Sequence, residues 1–570
     1  MLKKWLPVLI LGFVGFSALA ENQCDQPFED KTMEWGLPIK QPATAVLPFD
    51  LIGDGMTDLV FLNHGFSAGV QTSISVYMRK RNTLITAKEP ESKKFVLVPS
   101  QGLPLGIGDS FKLVRGLMNP KKIYAIVIDR PKSNDRETHR GLLLYEVTVS
   151  PKMISFKEVP GVFPRIEGWV TDFSLGDLDG DNIPEIVVSR HYHLPYDQAY
   201  RGGDFRADQS LILKRFGDKY VDVAYKWGLT STSDDPQKDP KSPTPAQAVS
   251  LCDIDGDGKM DILLPAYGRR WNKLYLNHSG WFEGQHFEDA AFDLGFEGTS
   301  PRKFRGNGNN FGSICGDANN DGKIDVFQGT ITHDWDYGAD WSAMLWNQYP
   351  KPFVRDTNLD RPTDFSNQGD LSGHFGDIDL KGFQDLMIGD AEYPPETRLV
   401  MLENLKNGKW KNHSDWFYPA VVNATSPTFV DIDGDGDLDV VTASSGNRGN
   451  TQAALRLFIN HTLESKCAKG TWLEVNLFDS KGKFGGEIPY GAVVKLYRTG
   501  KISERKFLGM RELAFSYFAN GQFPSTLHFG ISTEDAKSAN RDGFELEVRW
   551  TDGEISRYPV RLGQIKNIRR

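Results

Sequence analysis

Short apolar runs bounded by Gly, Asn and Asp follow one another along most of the chain. Examples are Ile262–Leu264 after an acidic loop, and the runs LYLN and LFIN, which end in Asn277 and Asn460. Runs of this length with turn residues at both ends are typical of β-strands, because helices need longer periodic segments. The pattern predicts many short strands joined by tight turns, which is an all-β fold.

One acidic loop recurs within this pattern. The stretch CDIDGDGKMDILL (Cys252–Leu264) has Asp at positions 1, 3, 5 and 9, counted from Asp253, and Gly258 at position 6. Two further copies are incomplete, because Ile52 replaces position 3 and Lys381 replaces position 5. The side chains at positions 1, 3, 5 and 9 of the four full copies are Asp177, Asp179, Asp181 and Glu185; Asp253, Asp255, Asp257 and Asp261; Asp317, Asn319, Asp321 and Asp325; and Asp431, Asp433, Asp435 and Asp439.

The spacing of the loops predicts seven repeated units. The loops begin at residues 50, 177, 253, 317, 377 and 431, and the first interval is long enough for one more unit without the motif, over Gly106–Arg130. Units of this size suit propeller blades, and a linear β-solenoid is the alternative, although its repeats are usually much shorter. A closed ring removes exposed sheet edges. The early FEDKTMEWGL segment at Phe28 is predicted to complete the last blade, near Asn460.

The acidic loop has the first half of a calcium-binding pattern. Oxygen ligands at positions 1, 3 and 5 followed by Gly at 6 suit Ca²⁺, which prefers hard oxygen donors. An EF-hand would need Glu at position 12, where Leu264 and Val188 stand. The alternative is a set of ion-free Asx turns. Repetition favours Ca²⁺, because a carboxylate cluster without a compensating charge is costly. We expect Lys381 to place its ammonium where an ion would otherwise sit.

These repeats resemble the FG-GAP/VCBS repeats of integrin-α-like propellers. The segments Thr471–Phe478, Ile488–Tyr497, Phe518–Ile531 and Phe544–Tyr558 resemble the ASPIC/UnbV domain of the cartilage acidic protein family. The resemblance implies a calcium-binding propeller with a β-rich C-terminal module, and it implies no enzymatic activity. The expected organisation is a signal peptide (1–20), a seven-bladed propeller (21–462) and an ASPIC/UnbV-like, β-sandwich-like module (463–570).

Composition and the N-terminus indicate an exported protein. The net charge of −9 gives no electrostatic case for nucleic-acid binding. Lys3 and Lys4, an apolar run over 5–16 and the small residues of 18–20 are typical of a signal peptide, with an uncleaved anchor as the alternative. No later segment is long and apolar enough to span a membrane. We therefore expect a secreted, periplasmic or cell-surface protein.

The four cysteines permit three pairings. If the N-terminal strand completes the last blade, Cys24 comes close to Cys467, and we predict a disulfide between them. Cys252 and Cys315 stand one and two residues before their acidic motifs, so their places in the strands are unequal. For that reason we expect these two to be buried thiols.

The loops joining second and third strands are predicted to form a binding face opposite the acidic loops. They are rich in aromatic and polar residues, which suits a glycan or a protein partner, although packed surface loops are the alternative. The candidate ligand contacts are Arg270, Trp271, Trp335, Asp336, Tyr337 and Trp341.

No catalytic residues are assigned, because no catalytic motif is present. His191 and His193 with Asp197 form only a weak metal pattern, and His333, Asp334, Asp336 and Asp340 are the other constellation with potential chemistry. We therefore expect a non-catalytic calcium protein acting in adhesion, ligand recognition or assembly. A carbohydrate-active hydrolase or lyase is the alternative.

Overall fold

The computed structural model describes residues 26–570 except for a set of short segments. The segments outside the description are 42, 64–72, 80–93, 104–109, 130–139, 194–202, 232, 234, 238, 240, 283, 333–339, 361–368, 391–398, 418–420, 422–423, 445–453, 466–467, 480–487, 501–504, 519–520 and 538–542. The predicted signal peptide also lies outside the described residues. No helix in the described part is long and apolar enough to cross a membrane.

The fold is all-β and propeller-like, with strands numbered β1 to β36 along the chain. Strand β1 (Phe28–Asp30) pairs with a strand far along the sequence and is placed with the last of seven small sheets. The first three sheets are β2 (Ala45–Phe49), β3 (Asp58–Asn63), β4 (Ser73–Arg79) and β5 (Phe95–Val98); β6 (Ser100–Gln101), β7 (Phe111–Arg115), β8 (Ile123–Asp129), β9 (Gly141–Ser150) and β10 (Met153–Glu158); and β11 (Val170–Gly176), β12 (Glu185–Arg190), β13 (Leu211–Phe216) and β14 (Lys219–Asp222).

The next four sheets repeat the same antiparallel order. They are β15 (Ser250–Cys252), β16 (Asp261–Leu264), β17 (Lys273–Phe282) and β18 (Gln285–Asp289); β19 (Asn309–Gly316), β20 (Asp325–Ile331), β21 (Ala343–Trp346) and β22 (Val354–Asp356); β23 (Asp370–Gly376), β24 (Asp385–Asp390), β25 (Leu399–Asn404) and β26 (Trp410–Asn412), followed by a 3-10 turn at Ser414–Trp416; and β27 (Thr428–Val430), β28 (Asp439–Ala443) and β29 (Leu455–Asn460) with β1.

The N-terminal strand completes the last sheet, as the sequence predicts. Strand β1 lies antiparallel to β29, with Phe28 opposite Asn460. The Thr32 hydroxyl also accepts a hydrogen bond from the backbone N–H of Leu457 at 2.9 Å. Pairing between the first and last strands leaves fewer exposed edges than an open array would have.

A polar side chain at the end of the third strand joins each of several sheets to the preceding one. Asn404 Nδ2, for example, donates to the carbonyl of Ala318 in the neighbouring acidic loop at 2.8 Å and to that of Gln384 in its own sheet at 2.9 Å. Asn277, Asn347 and Asn460 make the equivalent bonds to Leu178, Ile254 and Ile378. These bonds satisfy buried carbonyls, which would otherwise be costly to bury.

In two other sheets, an arginine instead of an asparagine bonds the third strand to the neighbouring sheet. Arg215 Nη1 donates to the carbonyl of Leu117 in the second sheet at 2.8 Å. Arg79 Nη1 donates to the carbonyl of Ile432, which lies in the acidic loop of the last sheet. The first sheet is therefore bonded directly to the seventh, and β2 also contacts β28.

The C-terminal region adds two further sheets and one short helix. The strands are β30 (Gly470–Phe478), β31 (Val493–Thr499), β32 (Arg505–Glu512), β33 (Thr526–Ser532), β34 (Gly543–Arg549), β35 (Ile555–Val560) and β36 (Ile565–Arg569), with the helix at Thr533–Lys537. They form one sheet in the order β33-β30-β36 and a second in the order β32-β31-β34-β35. We call this region the C-terminal module. Its apolar residues, Phe515 and Trp550 among them, share one buried cluster with Phe173 and Leu175 of the third sheet.

Candidate functional site: acidic loops beneath a C-terminal module

All six acidic loops connect the first and second strands of their sheets, so they lie at one end of the propeller-like body. The loop between β27 and β28 illustrates how they are ordered. Asp431 accepts backbone N–H groups from Gly434 at 2.7 Å and from Gly436 at 2.9 Å. Gly436, at position 6, has φ of +97°, a conformation that glycine adopts at little cost. The first aspartate therefore closes the turn.

The aspartate at position 9 ties the loop to the third strand. Asp439 accepts the backbone N–H of Ile432 at 2.8 Å and that of Asn460 at 2.8 Å. Asp261, Asp325 and Asp385 make the same pair of contacts. These carboxylates are buried, and desolvation raises the pKa of Asp439 well above its usual range. Position 9 thus organises the backbone as well as contributing charge.

The structure brings carboxylates together in several of the loops. In four loops, one oxygen-bearing side chain from each of positions 1, 3 and 9 lies within 4.8 Å of the other two. These groups are Asp177, Asp179 and Glu185; Asp253, Asp255 and Asp261; Asp377, Asp379 and Asp385; and Asp431, Asp433 and Asp439. The loop from Asp317 to Asp325 has the amide of Asn319 at position 3, so it holds one carboxylate fewer. The clusters are of a kind that could hold a metal ion.

Lysines lie among the carboxylates of two loops. Lys381 Nζ pairs with Asp379 at 2.5 Å and with Glu403, which agrees with the expectation for that incomplete copy. The sequence does not predict the position of Lys214 of β13, whose ammonium lies beside a full copy of the acidic motif. Its Nζ lies 2.7 Å from Asp179 and 3.1 Å from Glu185. An ammonium in these positions supplies part of the positive charge that the carboxylates require.

Several loop oxygens are nevertheless buried without a hydrogen-bond partner. They are Oδ1 of Asp179, Oδ1 of Asp253, Oδ2 of Asp435 and Oδ1 of Asp437. Burial also raises the pKa of Asp253 to about 6 and that of Asp431 to about 7. An unsatisfied buried carboxylate oxygen is costly, and a hard cation would satisfy it. The residues present therefore fit a divalent cation such as Ca²⁺.

The C-terminal module covers the acidic loops. Arg549 Nη2 pairs with Asp253, and Arg549 Nη1 donates to the carbonyl of Gly256 at 3.2 Å. His528 Nε2 lies 3.0 Å from the carbonyl oxygen of Gly436. Arg570 Nη2 donates to the side chain of Asn182 at 2.8 Å. The loops thus act as a docking surface for the chain's own C-terminal part.

A segment of the module runs between the first strands of the sheets. We call the described residues 513–518 and 521–523, between β32 and β33, the inner segment. Ser516 accepts from Lys112 of β7 at 2.7 Å, and its carbonyl accepts from Ser174 of β11 at 3.3 Å. The carbonyl of Tyr517 accepts from Ser250 at 3.3 Å. Gly521 forms a bridge with Val46 of β2.

Contacts from the remaining sheets show that the inner segment lies where the first strands converge. Phe523 stacks on His374 of β23 with ring centroids 4.1 Å apart. The side chain of Gln522 donates to the carbonyl of Leu113 at 2.7 Å and accepts its N–H at 2.9 Å. The module is therefore anchored at the centre of the sheets as well as on their loops.

A cavity of about 330 Å³ lies between the loops and the module. Its wall includes Asp317, Asp431 and Asp433 from the loops, with Glu474 and Arg511 from the module. Sequence patterns gave no signal for Glu474, Arg511 or Arg549, because they lie outside the repeats and reach the loops only through tertiary packing.

The expectation for two cysteines is wrong. Cys252 and Cys315 form a disulfide between β15 and β19, with Cα atoms 6.6 Å apart, and are not free thiols. Their positions relative to the motif are unequal, but neighbouring first strands are staggered against each other, so unequal positions come face to face. Cys24 and Cys467 lie outside the described residues, so the disulfide between them stays a prediction.

The candidate ligand contacts are only partly described. Trp335, Asp336 and Tyr337 lie outside the described residues. Trp341 is 43% exposed, whereas Arg270 and Trp271 are fully buried and their side chains stack, with the guanidinium 4.5 Å from the ring centre. Burial gives these two a packing role in the structure and leaves no open contact surface on them.

The catalytic constellations are likewise incomplete in the structure. Asp197, His333 and Asp334 are outside the described residues. His191 is buried, and His193 Nδ1 lies 2.9 Å from Asp208. Asp340 is buried and accepts the backbone N–H of Thr299 at 3.1 Å. The described members of these sets are engaged in structural contacts.

Comparison with known proteins supports the repeat assignment. Residues 344–442, from β21 to β28, match the model of an FG-GAP-like repeat. No curated protein matches the chain. The solved structures similar to it include a calcium structure of a Trichoderma reesei carbohydrate-active enzyme of family AA12, with 10% identity and TM-score 0.29, covering 76% of this chain and 96% of that one.

Two further solved structures are similar at the same distant level. An ancestral GH74 enzyme has 8% identity and TM-score 0.25, covering 73% of this chain and 72% of that one. The Bombyx mori GH32 β-fructofuranosidase has 10% identity and TM-score 0.24, covering 82% of this chain and 93% of that one. The FG-GAP-like repeat, the all-β propeller-like fold and the buried acidic clusters are the findings that bear on function.

Proposed function

We propose that the chain is a calcium-binding, seven-bladed β-propeller protein whose C-terminal module docks on the ion-binding face, and that it acts in recognition or assembly without catalysis. The observation that carries this proposal is the repetition of carboxylates at positions 1, 3 and 9 of four loops, each with the carboxylate at position 9 buried. Repetition in register argues against chance surface acidity, because each cluster costs free energy unless a positive charge compensates it.

Calcium is the cation that suits these loops best. All of the candidate ligands are carboxylate or amide oxygens, which favour Ca²⁺ over zinc or copper. The loop of Asp431 holds buried oxygens of Asp435 and Asp437 without partners, so we place the strongest binding there. In the loop of Asp253, Arg549 already pairs with the first carboxylate and would compete with the ion. In the loop of Asp177, Lys214 would compete with the ion, so we expect weaker binding.

Binding of a partner is proposed for the end of the propeller opposite the acidic loops. The module covers the acidic end, through contacts such as those of Arg549 and His528. The loops between second and third strands are predicted to lie at the other end, and Trp341, one of the aromatic residues singled out in the sequence, is exposed there. A glycan or a protein is the class of partner that such loops suit. Export through the N-terminal segment and membership of the ASPIC/UnbV-containing family are parts of the same proposal.

Calcium-dependent stability tests the central claim. Binding at the affinity of extracellular modules would add about 0.4–1.4 kcal/mol per occupied site at 1 mM Ca²⁺. The melting temperature should rise clearly from chelator to calcium, and magnesium at the same concentration should have a smaller effect. An unchanged melting temperature, with no calcium found by elemental analysis of the purified protein, would refute the proposal.

A glycan-binding assay followed by a reducing-sugar assay distinguishes the non-catalytic hypothesis from the alternative of a hydrolase or lyase. A glycan array identifies ligands, and incubation of the protein with each ligand then tests for cleavage. Binding without release of reducing ends is the expected result. Cleavage at a rate that depends on the protein concentration would make the chain an enzyme.

A further inference from the structure

The acidic loop of the last sheet differs from the other loops in its surroundings. In three of the other loops a cation from the chain lies against the cluster: Lys214 at the third sheet, Arg549 at the fourth and Lys381 at the sixth. Among the described residues, no lysine or arginine forms an ion pair with Asp431, Asp435, Asp437 or Asp439. This loop is the most acidic one, because Asp437 adds to the carboxylates at positions 1, 3, 5 and 9.

Two glutamates from outside the repeat lie beside the same loop, Glu464 within one of its carboxylate groups and Glu474 outside them. Glu464 follows the last strand of the sheet, and one of its oxygens lies within 4.8 Å of those of Asp433 and Asp435. Glu474 belongs to β30 of the C-terminal module and lines the cavity together with Asp431 and Asp433. The carboxylates thus come from the propeller-like body, from the connecting segment and from the module.

Glu474 is placed in a way that needs a partner. It is 6% exposed, and among the described residues its carboxylate forms neither an ion pair nor a hydrogen bond. Leu473 and Val475, on either side of it along β30, face the buried apolar cluster of the module, so the side chain of Glu474 lies on the opposite face of the strand.

We propose that a hard divalent cation, Ca²⁺, bound at the loop of residues 431–439 bridges the propeller-like body and the C-terminal module, with Glu474 and Glu464 adding carboxylates to those of the loop. The inference rests on the proposed calcium binding and goes further, because it makes this one site an interdomain joint. Calcium would then control how firmly the module is docked, whereas ions in the other loops would stabilise single sheets.

Trp472 offers a probe specific to this site. It lies two residues before Glu474 on β30, and its indole is packed against Gly436 of the loop. Terbium ions commonly replace Ca²⁺ and emit when a nearby tryptophan is excited. Trp227 lies near another loop, since its ring centre is 5.7 Å from Lys214 Nζ at the loop of Asp177. The part of the terbium emission that the Trp472→Phe variant loses, while it still binds calcium, should therefore report the loop of residues 431–439.

The decisive comparison is Glu474→Gln against Glu534→Gln, a control at an exposed position in the short helix of the same module. Glu474→Gln should weaken terbium binding at the Trp472 site about 10- to 100-fold, in the range found for residues that support metal sites. The control should bind as the wild type does. In chelator, Glu474→Gln should melt no lower than the wild type, because it removes a buried charge, and in calcium it should gain less stability.

Protease resistance gives a second readout of docking. Calcium should slow cleavage between the last sheet and the module in the wild type and in Glu534→Gln, and it should do so much less in Glu474→Gln. If Glu474→Gln fails to fold, Glu464→Gln takes its place, with the same expected loss of affinity. Wild-type affinity and wild-type calcium protection in the glutamine variants would overturn the inference and leave calcium binding intact. No calcium binding by the wild type would overturn both proposals.

Discussion

Replacement of Lys112 by Met tests whether the module is held at the centre of the sheets by a buried charge. Lys112 Nζ has three acceptors: Asp172 at 2.6 Å, the carbonyl of Phe173 at 2.7 Å and the hydroxyl of Ser516 at 2.7 Å. Both side chains of the Lys112–Asp172 pair are fully buried. Burial lowers the pKa of Lys112 and raises that of Asp172, and their mutual attraction opposes both shifts.

The expected cost follows from what Lys112→Met leaves behind. Asp172 retains hydrogen bonds from backbone N–H groups, among them that of Val249 at 3.3 Å, but it loses its countercharge in a place that water does not reach. Removal of one partner of a buried ion pair typically costs about 3–5 kcal/mol. We therefore expect Lys112→Met to lower the free energy of unfolding by about that amount. Lys112→Met with Asp172→Leu should recover much of it, because both charges are then gone.

Urea unfolding followed by tryptophan fluorescence measures these changes. Lys122→Met is the matched control in the same region, because Lys122 forms an ion pair with Glu146 at the surface, and it should have little effect. Hydrogen exchange of residues 513–518 should increase in Lys112→Met, since the hydroxyl of Ser516 loses its donor. A loss below about 1 kcal/mol for Lys112→Met would show that the pair does not hold the inner segment.

Three further predictions concern other parts of the structure. Asn404→Ala removes two donors to buried carbonyls and should cost about 2–4 kcal/mol in urea unfolding, and a change within error would mean that the junction bonds are dispensable. His374 accepts the backbone N–H of Phe429 at 3.0 Å, and burial lowers the pKa of His374 to about 3. On acidification the imidazole is therefore protonated in the unfolded chain before it is protonated in the folded chain, so the free energy of unfolding falls as the pH drops below about 6.5. The wild type should lose about 2 kcal/mol more than His374→Gln between pH 7 and pH 5, and equal losses would refute this. Peptide mapping without reduction should find Cys24 joined to Cys467, and free alkylation of Cys24 would reject that pairing.

Much of the repeat architecture could be predicted from the sequence because its signals are local. The acidic motif marks the turn between the first and second strands, and it does so in six sheets of the structure. The Asn that ends several third strands, as in Asn277 and Asn460, is visible in the sequence, but its role as a junction is not. That role depends on which carbonyl the next sheet presents.

The contacts with the C-terminal module could not be predicted, because they depend on tertiary packing. Lys214 looks like an ordinary strand residue until β13 is placed beside the loop of Asp177. Glu474 and Arg549 both stand at polar positions of alternating strand patterns, opposite the apolar face of the module, and the pattern does not indicate the loop that each one faces. The disulfide of Cys252 and Cys315 joins two different repeats, so the position of each cysteine within its own repeat does not predict it.

The position of the module also limits where a partner can bind. An acidic face with unsatisfied carboxylates would attract cations and basic surfaces, yet this face is already occupied by the chain itself through Arg549, His528 and Arg570. The centre of the sheets is occupied as well, since Lys112 and Leu113 bond to the inner segment. A partner that reached either place would have to displace the module, breaking buried polar bonds that cost more than a typical exposed contact returns. Partner binding is therefore expected at the opposite end of the sheets or on the outer surface of the module, and calcium is expected to act on it indirectly, by fixing the two parts of the chain against each other.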